Sequence, residues 1–529
     1  MRRWQQVVAA AIAIAVLVCV LAVIEFVVST TTRASHTEVA MLMDDEQLIY
    51  SSPQQRERTL QALHGLGVDV VKVSMVWQLV APDPESAQRP SFDATDPSSY
   101  PPGAWSRWDD LVETARHLGM KVYFLMIGPS PLWAIPSANR TRQGPSQGWA
   151  PSPGEFERFV EAVGRRYSGA YVNRTDGQTI PRVDYWGIWN EPNERSWLTP
   201  WYRSLPRHRR EMEQPQLYRG LVDAAWSGLN VTGHEGDAIM VGETANRGTM
   251  APAPFVRALY CVGDELRPLQ GAAASPFGCP TSGSGSRFVS QHPGLFGAAF
   301  AHHPYPFPYQ GPPDRPCPDP TFVTLYNVSS LERLLTTIFA SYGRYPRGGV
   351  PLYLTEWGFK TNPPNPYVDT SPAQQAEYLN QGEYMTWTQP YVRGLTQFLL
   401  VDSSPKAGAA RNSPTYWSTF QSGLLNADWS PKPSYAAYRI PIWLPVSRHG
   451  PRVTVWGQLR PADHSTIQHG VIDLRPGGSS IWRQLTELQT SNREGFIVKH
   501  VSIPSSGLVR LGWRDPNGTV VYSRSVPVS

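Results

Sequence analysis

The chain has 529 residues, enough for one large domain and a smaller one, and only 17% of them are charged. Its formal net charge of +4 is too mild for the concentrated basic face of a nucleic-acid-binding protein, so no nucleic-acid partner is expected. The 19 Trp and 23 Tyr residues fit either a sugar-binding cleft, where flat rings cover a pyranose, or a large aromatic core.

The N-terminal segment is apolar and follows two arginines, Arg2 and Arg3. Its uncharged run from Val7 to Ile24 is close to the roughly 20 residues of a spanning helix and exceeds the roughly 7–15 of a signal-peptide core. The arginines predict a cytoplasmic N-terminus. We interpret residues 1–35 as a membrane anchor, with a cleaved signal as the alternative. Both interpretations predict that the rest of the chain is exported. An anchor would hold it on the outside of the cell membrane, and a cleaved signal would leave it secreted.

Cysteine usage agrees with export, because an oxidising compartment permits disulfides. Cys19 lies in the apolar run, whereas Cys261, Cys279 and Cys317 share one loop-rich region. Pairing of Cys261 with Cys279 closes the shorter loop, and Cys279 with Cys317 is the rival pairing. The spacing of cysteine and histidine does not resemble a zinc site, so neither a metal nor another cofactor is expected.

Segments typical of β-strands alternate with segments typical of helices after the apolar run. Serine followed by proline marks three helix starts, because Ser caps the helix and Pro suits its first position. The predicted strands are 38–43, 68–77, 120–127, 183–189, 238–243, 297–303, 350–356 and 394–401. The predicted helices begin at Ser52, Ser152 and Ser371 or lie within 108–117, 218–229, 331–342 and 435–439.

This alternation predicts an α/β fold, a (β/α)8 TIM barrel over residues 36–443. A doubly wound open sheet is the alternative, but it needs fewer strand–helix pairs and a glycine-rich first turn, and no GxGxxG follows the first predicted strand. From about Pro445 the pattern changes to short strands at regular spacing, separated by Pro, Gly and Asn. Residues 444–529 are therefore predicted to form a small all-β sandwich without a catalytic cluster.

Two glutamates end predicted strands at the same mouth of that barrel. Glu191 follows the fourth strand in "WGIWNEPN" (186–193), and Glu356 ends the seventh in "LYLTEWGF" (352–359). Barrel enzymes carry their active sites at the carboxyl ends of the strands, and strands four and seven lie across the ring from each other. Glycosidic bond cleavage requires two facing carboxyl groups: one protonates the leaving oxygen, and the other attacks the anomeric carbon.

These motifs resemble the clan A retaining glycoside hydrolases, with families 5 and 39 most similar, over about residues 38–442. The resemblance implies that Glu191 is the general acid/base and that Glu356 is the nucleophile. It also implies that Asn190, which directly precedes Glu191, binds the sugar 2-hydroxyl. That contact tightens in the transition state.

Other positions match the family pattern less evenly. His303 and Tyr305, in "HHPYP" after the sixth strand, resemble a His-x-Tyr that holds the nucleophile. Lys72 occupies a position in the second strand where an Arg often contacts the nucleophile, so a compact ammonium replaces a planar fork. The usual tryptophan of the eighth strand is not evident, and Trp357 or Trp417 is the expected sugar platform instead.

The sequence therefore predicts an exported retaining glycoside hydrolase that acts on a β-linked polysaccharide or oligosaccharide by double displacement. A transglycosylase on the same site and a non-catalytic carbohydrate-binding surface protein are the alternatives. Glu356 is expected to ionise before Glu191, because hydrogen-bond donors and positive charge surround it. Glu194 and Glu243 are interpreted as ordinary loop or supporting acids. The basic run at 203–210 is interpreted as a solvated loop, with a rim for an anionic polysaccharide as the sharper alternative.

Overall fold

The computed structural model describes residues 34–136, 149–204, 210–282, 285–307, 310–445, 452–515 and 518–528. Residues 1–33 of the predicted anchor or signal, including Cys19, lie outside these residues, as do residues 205–209 of the basic run. Within the described part of the chain, no helix is long and apolar enough to cross a membrane.

Eight parallel strands form a closed barrel, as the sequence predicted. They are β1 Val39–Met43, β2 Val70–Val76, β3 Lys121–Ile127, β4 Tyr185–Ile188, β5 Ala238–Ala245, β6 Ala299–His303, β7 Leu352–Trp357 and β8 Val392–Phe398. Their order around the ring is β1-β8-β7-β6-β5-β4-β3-β2. Side chains are buried on both faces of most strands, because helices cover one face and the barrel interior covers the other.

One main helix follows each strand and covers the barrel. These helices are α1 Pro53–Leu66, α2 Ser106–His117, α3 Pro153–Arg166, α4 Gln214–Asn230, α5 Pro252–Leu259, α6 Val328–Ser341, α7 Pro372–Trp387 and α8 Pro433–Arg439. Shorter α-helices lie at Asp45–Leu48, Trp77–Val80, Gly285–Gln291 and Pro293–Gly297. The predicted caps are confirmed: the Ser52, Ser152 and Ser371 side chains each accept a backbone N–H three residues later.

Most of the barrel's large aromatic side chains lie between strands and helices. Trp77, Trp108, Trp186 and Trp189 are fully buried there. Trp189 packs edge-to-face on Phe156 of α3 and donates its ring N–H to a backbone carbonyl. Truncating such a side chain typically costs about 3–5 kcal/mol. Much of the aromatic content noted in the sequence therefore belongs to the core.

The insertion between β5 and β6 contains a disulfide. Cys261 is bonded to Cys279, which is the shorter of the two predicted loops, and Cys317 is free and half-buried. A second insertion, after β4, forms a small antiparallel hairpin whose strands are Tyr202–Ser204 and Arg210–Met212.

The C-terminal region folds into two antiparallel sheets around one apolar core, which confirms the predicted all-β domain. Its strands are β9 Ile442–Trp443, β10 Arg452–Gln458, β11 Gln468–Pro476, β12 Arg483–Thr490, β13 Phe496–Ser502, β14 Gly507–Arg514, β15 Val520–Tyr522 and β16 Val526–Val528. One sheet has the order β9-β10-β13, and the other has β12-β11-β14-β15, with β16 also paired to β14. The antiparallel pairing of this region starts at Ile442, where β9 pairs with β10.

Candidate active site

The turn after β4 presents Glu191 at the barrel mouth in a constrained backbone conformation. Trp189 and Glu191 both have positive φ values, 61° and 38°, which side chains with a Cβ rarely adopt and which occur most often at functional sites. The Glu191 N–H donates to the Glu243 carbonyl at 3.0 Å. The Asn193 side chain joins the same turn to β5 through the N–H and carbonyl of Ala245, at 2.8 and 3.1 Å. The turn is therefore tied to β5 at both Glu191 and Asn193.

The two predicted catalytic glutamates lie close together. One carboxylate oxygen of Glu191, one of Glu356 and a ring nitrogen of His303 are all within 4.8 Å of one another. The strands that carry the glutamates, β4 and β7, are separated by β5 and β6 on one side of the ring. Side chains that converge from these strands over the barrel axis produce the short separation.

His303 lies between three carboxylates. Its Nδ1 is 3.0 Å from Glu191 Oε1 and 3.7 Å from Glu356 Oε2, and its Nε2 is 2.8 Å from Glu243 Oε2. The imidazole is fully buried at the end of β6. Burial lowers the pKa of His303, but the three carboxylates more than offset this effect and raise the pKa to about 9. At neutral pH the ring is therefore a cation that donates from both nitrogens.

Glu356 has the other two predicted neighbours as well. Tyr305 donates its hydroxyl to Glu356 Oε2 at 3.2 Å, and Lys72 Nζ lies 3.5 Å from Glu356 Oε1. The structure thus brings together five of the residues selected from the sequence, namely Lys72, Glu191, His303, Tyr305 and Glu356. The ammonium of Lys72 is fully buried, and it also donates to the Thr355 carbonyl at 3.1 Å.

Glu243, which the sequence suggested as an ordinary supporting acid, is the most highly connected carboxylate of the cluster. Its Oε2 accepts from Lys72 Nζ at 3.1 Å, from His303 Nε2 at 2.8 Å and from Thr355 Oγ1 at 2.8 Å. Its Oε1 accepts from the Tyr123 hydroxyl. The side chain has no exposed surface. Burial acts to raise the pKa of Glu243, but Lys72 and the hydrogen-bond donors lower it to about 2.

The pKa of Glu356 departs from its ordinary value in the opposite direction. Burial raises the pKa of this carboxyl group, and the charges of Glu191 and Glu243 raise it further. His303 and Lys72 lower it, but they do not cancel the increase. The expectation of a readily ionised Glu356 did not include burial or the nearby charge of Glu243. The negative charge that the donors stabilise most strongly is on Glu243 instead.

Asn190 lies beside Glu191 and offers an unpaired acceptor. The residue is 5% exposed, and its Oδ1 is buried without a hydrogen-bond partner among the described residues. A buried amide oxygen without a partner typically costs about 1–3 kcal/mol. Asn190 also lines the open cleft in front of the two glutamates. A hydroxyl donor from a ligand in that cleft would satisfy this oxygen.

The cleft above the glutamates has a volume of about 890 Å³. Its aromatic surface comes from Tyr50, Trp197, Tyr305, Phe307, Phe398 and Phe420. Phe398, at the end of β8, packs edge-to-face on Phe420 with ring centres 5.0 Å apart. The cleft therefore has flat apolar surfaces next to carboxyl groups, a combination suited to ligands with apolar faces and hydroxyl edges. Glu194, which accepts from Thr249 Oγ1 at 2.8 Å, also lines the cleft.

The structure does not bring Trp357 into this cleft, so Trp357 is not placed to serve as the expected sugar platform. Trp357 is 1% exposed and packs against Phe359, with ring centres 5.1 Å apart. A Cβ on Gly382 of α7 would collide with the Trp357 ring, which places the indole between β7 and α7. Trp417 is also absent from the cleft lining among the described residues. Phe398, at the end of β8, and Phe420 are among the aromatic residues that line the cleft instead.

Among the residues that the structure describes, two groups of side chains have donor atoms close enough to hold a metal ion. One consists of Glu191, His303 and Glu356, and the other of Asp69, His464 and Glu494. In the first group both ring nitrogens of His303 face carboxylates, and the raised pKa keeps both protonated at neutral pH. A protonated imidazole has no lone pair for a metal. The geometry of this group therefore favours proton transfer, and the absence of a metal or other cofactor stays a prediction.

Solved glycosidase structures resemble the chain in fold. A family 39 glycoside hydrolase from Bacteroides cellulosilyticus WH2 has 14% identity over 89% of this chain and 81% of its own, with a TM-score of 0.45. A glucosidase from Croceicoccus marinus has 12% identity over 94% of this chain and 97% of its own, with a TM-score of 0.48. Bacteroides uniformis beta-glucuronidase 2 has 13% identity over 93% of this chain and 46% of its own, with a TM-score of 0.40. No protein-family profile and no curated protein matches the chain. Because these identities and scores are low, the barrel assignment depends on the strand order of the chain itself.

Proposed function

We propose that the protein is an exported retaining glycoside hydrolase that cleaves β-linked glycosides by double displacement. The observation that carries the proposal is the short separation of Glu191 and Glu356, whose nearest oxygens are within 4.8 Å. Carboxyl groups about 5–5.5 Å apart suit retention, whereas inverting enzymes need about 6.5–9.5 Å to admit a water molecule. The pair also opens onto a cleft large enough for a sugar.

In the first step, Glu191 donates its proton to the glycosidic oxygen while a carboxylate oxygen of Glu356 attacks the anomeric carbon from the opposite face. The bond to the leaving oxygen breaks as the glycosyl ester of Glu356 forms, and the leaving group departs as an alcohol. Tyr305 orients Glu356 through the 3.2 Å hydrogen bond to Oε2. Asn190 can accept from a substrate hydroxyl through its unpaired oxygen.

In the second step, ionised Glu191 removes a proton from water, and the water oxygen attacks the anomeric carbon. The ester bond to Glu356 breaks, and the carboxylate is regenerated. The sugar leaves with its original anomeric configuration. A transglycosylase would follow the same steps with a sugar hydroxyl in place of water.

The charges around the pair match this use of a single proton. Lys72 and His303 contribute two positive charges, and Glu243 contributes one negative charge. Double displacement requires one partner of the catalytic pair to be acidic and the other ionised.

A panel of β-glycosides tests the proposed activity, and the anomer of the first product, followed by NMR, tests the stereochemistry. A 2-fluoro glycoside of the sugar that reacts should attach covalently to Glu356, as located by mass spectrometry of peptides. An inverted first product or label on another residue would overturn the mechanism. Binding of sugars without turnover would favour the alternative, a non-catalytic carbohydrate-binding protein.

Export is part of the proposal and rests on the N-terminal sequence. Expression of the full chain with a C-terminal tag, followed by fractionation and protease treatment of intact cells, should place the barrel outside the membrane and attached to it. A secreted protein that begins near Ala34 would support the cleaved signal instead. A barrel retained in the cytoplasm would contradict both interpretations.

A further inference from the structure

Glu243 is separated from the cleft but contacts the groups that surround both catalytic glutamates. Its four side-chain donors come from four other strands: Lys72 on β2, Tyr123 on β3, His303 on β6 and Thr355 on β7. These contacts occupy both of its oxygens. A carboxylate in this position can influence the reaction only through its neighbours.

We propose that Glu243 is a positioning residue: a fixed buried anion that keeps His303 a doubly donating cation and thereby sets the protonation of Glu191 and Glu356. This inference rests on the proposed glycosidase function. The His303 imidazole connects Glu243 to the catalytic pair directly. Its Nε2 contacts Glu243, and its Nδ1 faces both Glu191 and Glu356.

The sequence of β4 shows that the fold makes room for this anion. A Cβ at Gly187 would collide with the Tyr123 hydroxyl and come within 2.9 Å of Glu243 Oε1. Gly187 belongs to the same "WGIWNEPN" segment that presents Asn190 and Glu191. The segment therefore both supplies the proposed acid and leaves space for the carboxylate that tunes it.

The other charged and titratable groups around His303 do not replace Glu243. Glu191 loses and regains a proton and Glu356 is esterified during the proposed cycle, so neither is a constant anion. Lys72 is a cation and disfavours a charged imidazole. His302, the neighbouring residue, stays neutral because burial lowers its pKa to about 3, and it is bound to Thr244 and the Val323 carbonyl. Of these groups in the described part of the chain, Glu243 alone supplies the His303 ring with a negative charge that remains throughout.

Removal of the Glu243 charge should shift the pH profile of kcat/KM in a definite direction. In Glu243→Gln the pKa of His303 falls, because the ring loses one anionic partner. Below that lowered pKa the ring is still charged, so two cations stand beside Glu191 and Glu356 without the Glu243 anion, and both carboxyl groups lose their protons more easily. Both limbs of the pH profile of kcat/KM should therefore move to lower pH by about one to two units. Because the two limbs report the free enzyme, the displacement does not depend on how tightly substrate binds.

Matched variants separate charge from shape. Glu243→Asp keeps the anion but shortens its reach, so its profile should lie between those of the wild type and Glu243→Gln. Thr355→Val removes one donor to Glu243 without removing a charge, and it should reduce the rate with little displacement of the limbs. Glu243→Gln with a lower rate but an unchanged pH profile would reduce Glu243 to a structural role and overturn the inference.

A second measurement does not need turnover. NMR of histidine-labelled protein, with His303→Gln to assign the signal, should show that the His303 ring titrates near pH 9 in the wild type and at lower pH in Glu243→Gln. An unchanged His303 titration in a folded Glu243→Gln variant overturns the inference. If the wild type turns over no glycoside but His303 shifts as expected, the enzymatic proposal fails while the electrostatic role of Glu243 stands.

Discussion

The two ends of the barrel both contain buried ion pairs, yet they differ in access. At the mouth, Lys72 and Glu243 are fully buried beneath an open cleft of about 890 Å³. At the opposite end, Arg460 of the C-terminal domain reaches Glu383 of α7 at 2.7 Å, and both side chains are less than a tenth exposed. Cavity space there is only about 20 Å³, since the β-domain covers it.

The partners at the closed end are typical of a structural interface. Arg460 also donates to the Tyr438 carbonyl of α8, and its guanidinium lies over the Tyr438 ring at 4.0 Å. Asn380 connects Glu383 to Arg524 through hydrogen bonds of 3.0 and 2.8 Å. Every one of these groups joins the barrel to the β-domain. This end therefore uses buried charge to hold two domains together.

The comparison shows that a buried ion pair alone does not identify a catalytic centre. Charged groups at both ends are removed from water, and burial raises the pKa of Glu356 and of Glu383 alike. What distinguishes the mouth is a carboxyl pair that faces open space beside an unpaired amide oxygen, on Asn190. Substitutions at the mouth should therefore affect turnover, and those at the closed end should affect stability.

Glu356→Gln should give the largest effect, a loss of kcat of at least roughly 10⁴-fold, because the amide cannot form the glycosyl ester. The variant should remain folded, since the substitution preserves the shape of the side chain, and any fall in the thermal unfolding midpoint reports the buried charges of Lys72 and His303 that lose a partner. Steady-state kinetics and calorimetry of the same preparation measure both. Near-wild-type hydrolysis would remove Glu356 from its proposed role.

Glu191→Gln should reduce hydrolysis of an unactivated glycoside by roughly 10²–10⁴-fold, because the leaving oxygen no longer receives a proton. A dinitrophenyl glycoside needs no such proton, so its first step should remain fast and the glycosyl enzyme should accumulate. A burst of dinitrophenol checks this expectation. Equal losses on both substrates would contradict assignment of Glu191 as the acid.

Asn190→Ala should reduce kcat/KM by roughly 10²-fold, because a hydrogen bond to the sugar that strengthens in the transition state is lost. A substrate without the 2-hydroxyl should show a similar loss with the wild-type enzyme and little further loss with the variant. This double comparison of enzyme and substrate isolates the contact. Additive losses would show that Asn190 acts on another group.

The barrel could be predicted because covered strands leave continuous apolar runs in the sequence. "MKVYFLMI" at 120–127 became β3, Lys121–Ile127, and the serine–proline pair at 371–372 became the start of α7. Glu191 and Glu356 were found for a related reason: each follows a strand whose end the pattern defines. Local sequence determines both the element and the position of a residue at its end.

What the sequence did not reveal depends on contacts between distant residues. Glu243 also ends a predicted strand, in "AIMVGE", and this third glutamate at the mouth was the available signal. Its pairing with Lys72, however, joins residues 171 positions apart. Trp357 shows the converse problem, because one residue beyond Glu356 its ring packs toward α7 and away from the cleft. The direction of a side chain at a strand end depends on packing that the local pattern does not encode.

Arg460→Met should sharpen the contrast between the two ends by reducing stability without reducing kcat. Removal of one partner from a buried pair typically costs about 3–5 kcal/mol, because the remaining charge stays buried. Adding Glu383→Gln should recover much of this loss, since no isolated charge remains. Denaturant unfolding measures the single and double variants against Glu383→Gln alone. A fall in kcat with unchanged stability would instead couple the closed end to the active site.

Glu38→Gln should reveal a smaller effect at the same end, one that depends on pH. Glu38 directly precedes β1, and one of its carboxyl oxygens has no partner among the described residues. Burial raises its pKa to about 8, so the folded protein holds this group neutral while the unfolded chain ionises it near its ordinary value of 4.5. Wild-type stability should therefore decline as pH rises from about 4.5 to about 8. Glutamine carries no proton to lose, so the free energy of unfolding of the variant should exceed that of the wild type by up to about 3 kcal/mol at pH 7. This figure follows from about 1.4 kcal/mol per pKa unit. At pH 4 the difference should almost vanish. Unfolding midpoints across that range check the sign, and a stability difference independent of pH would show that Glu38 is already ionised in the fold.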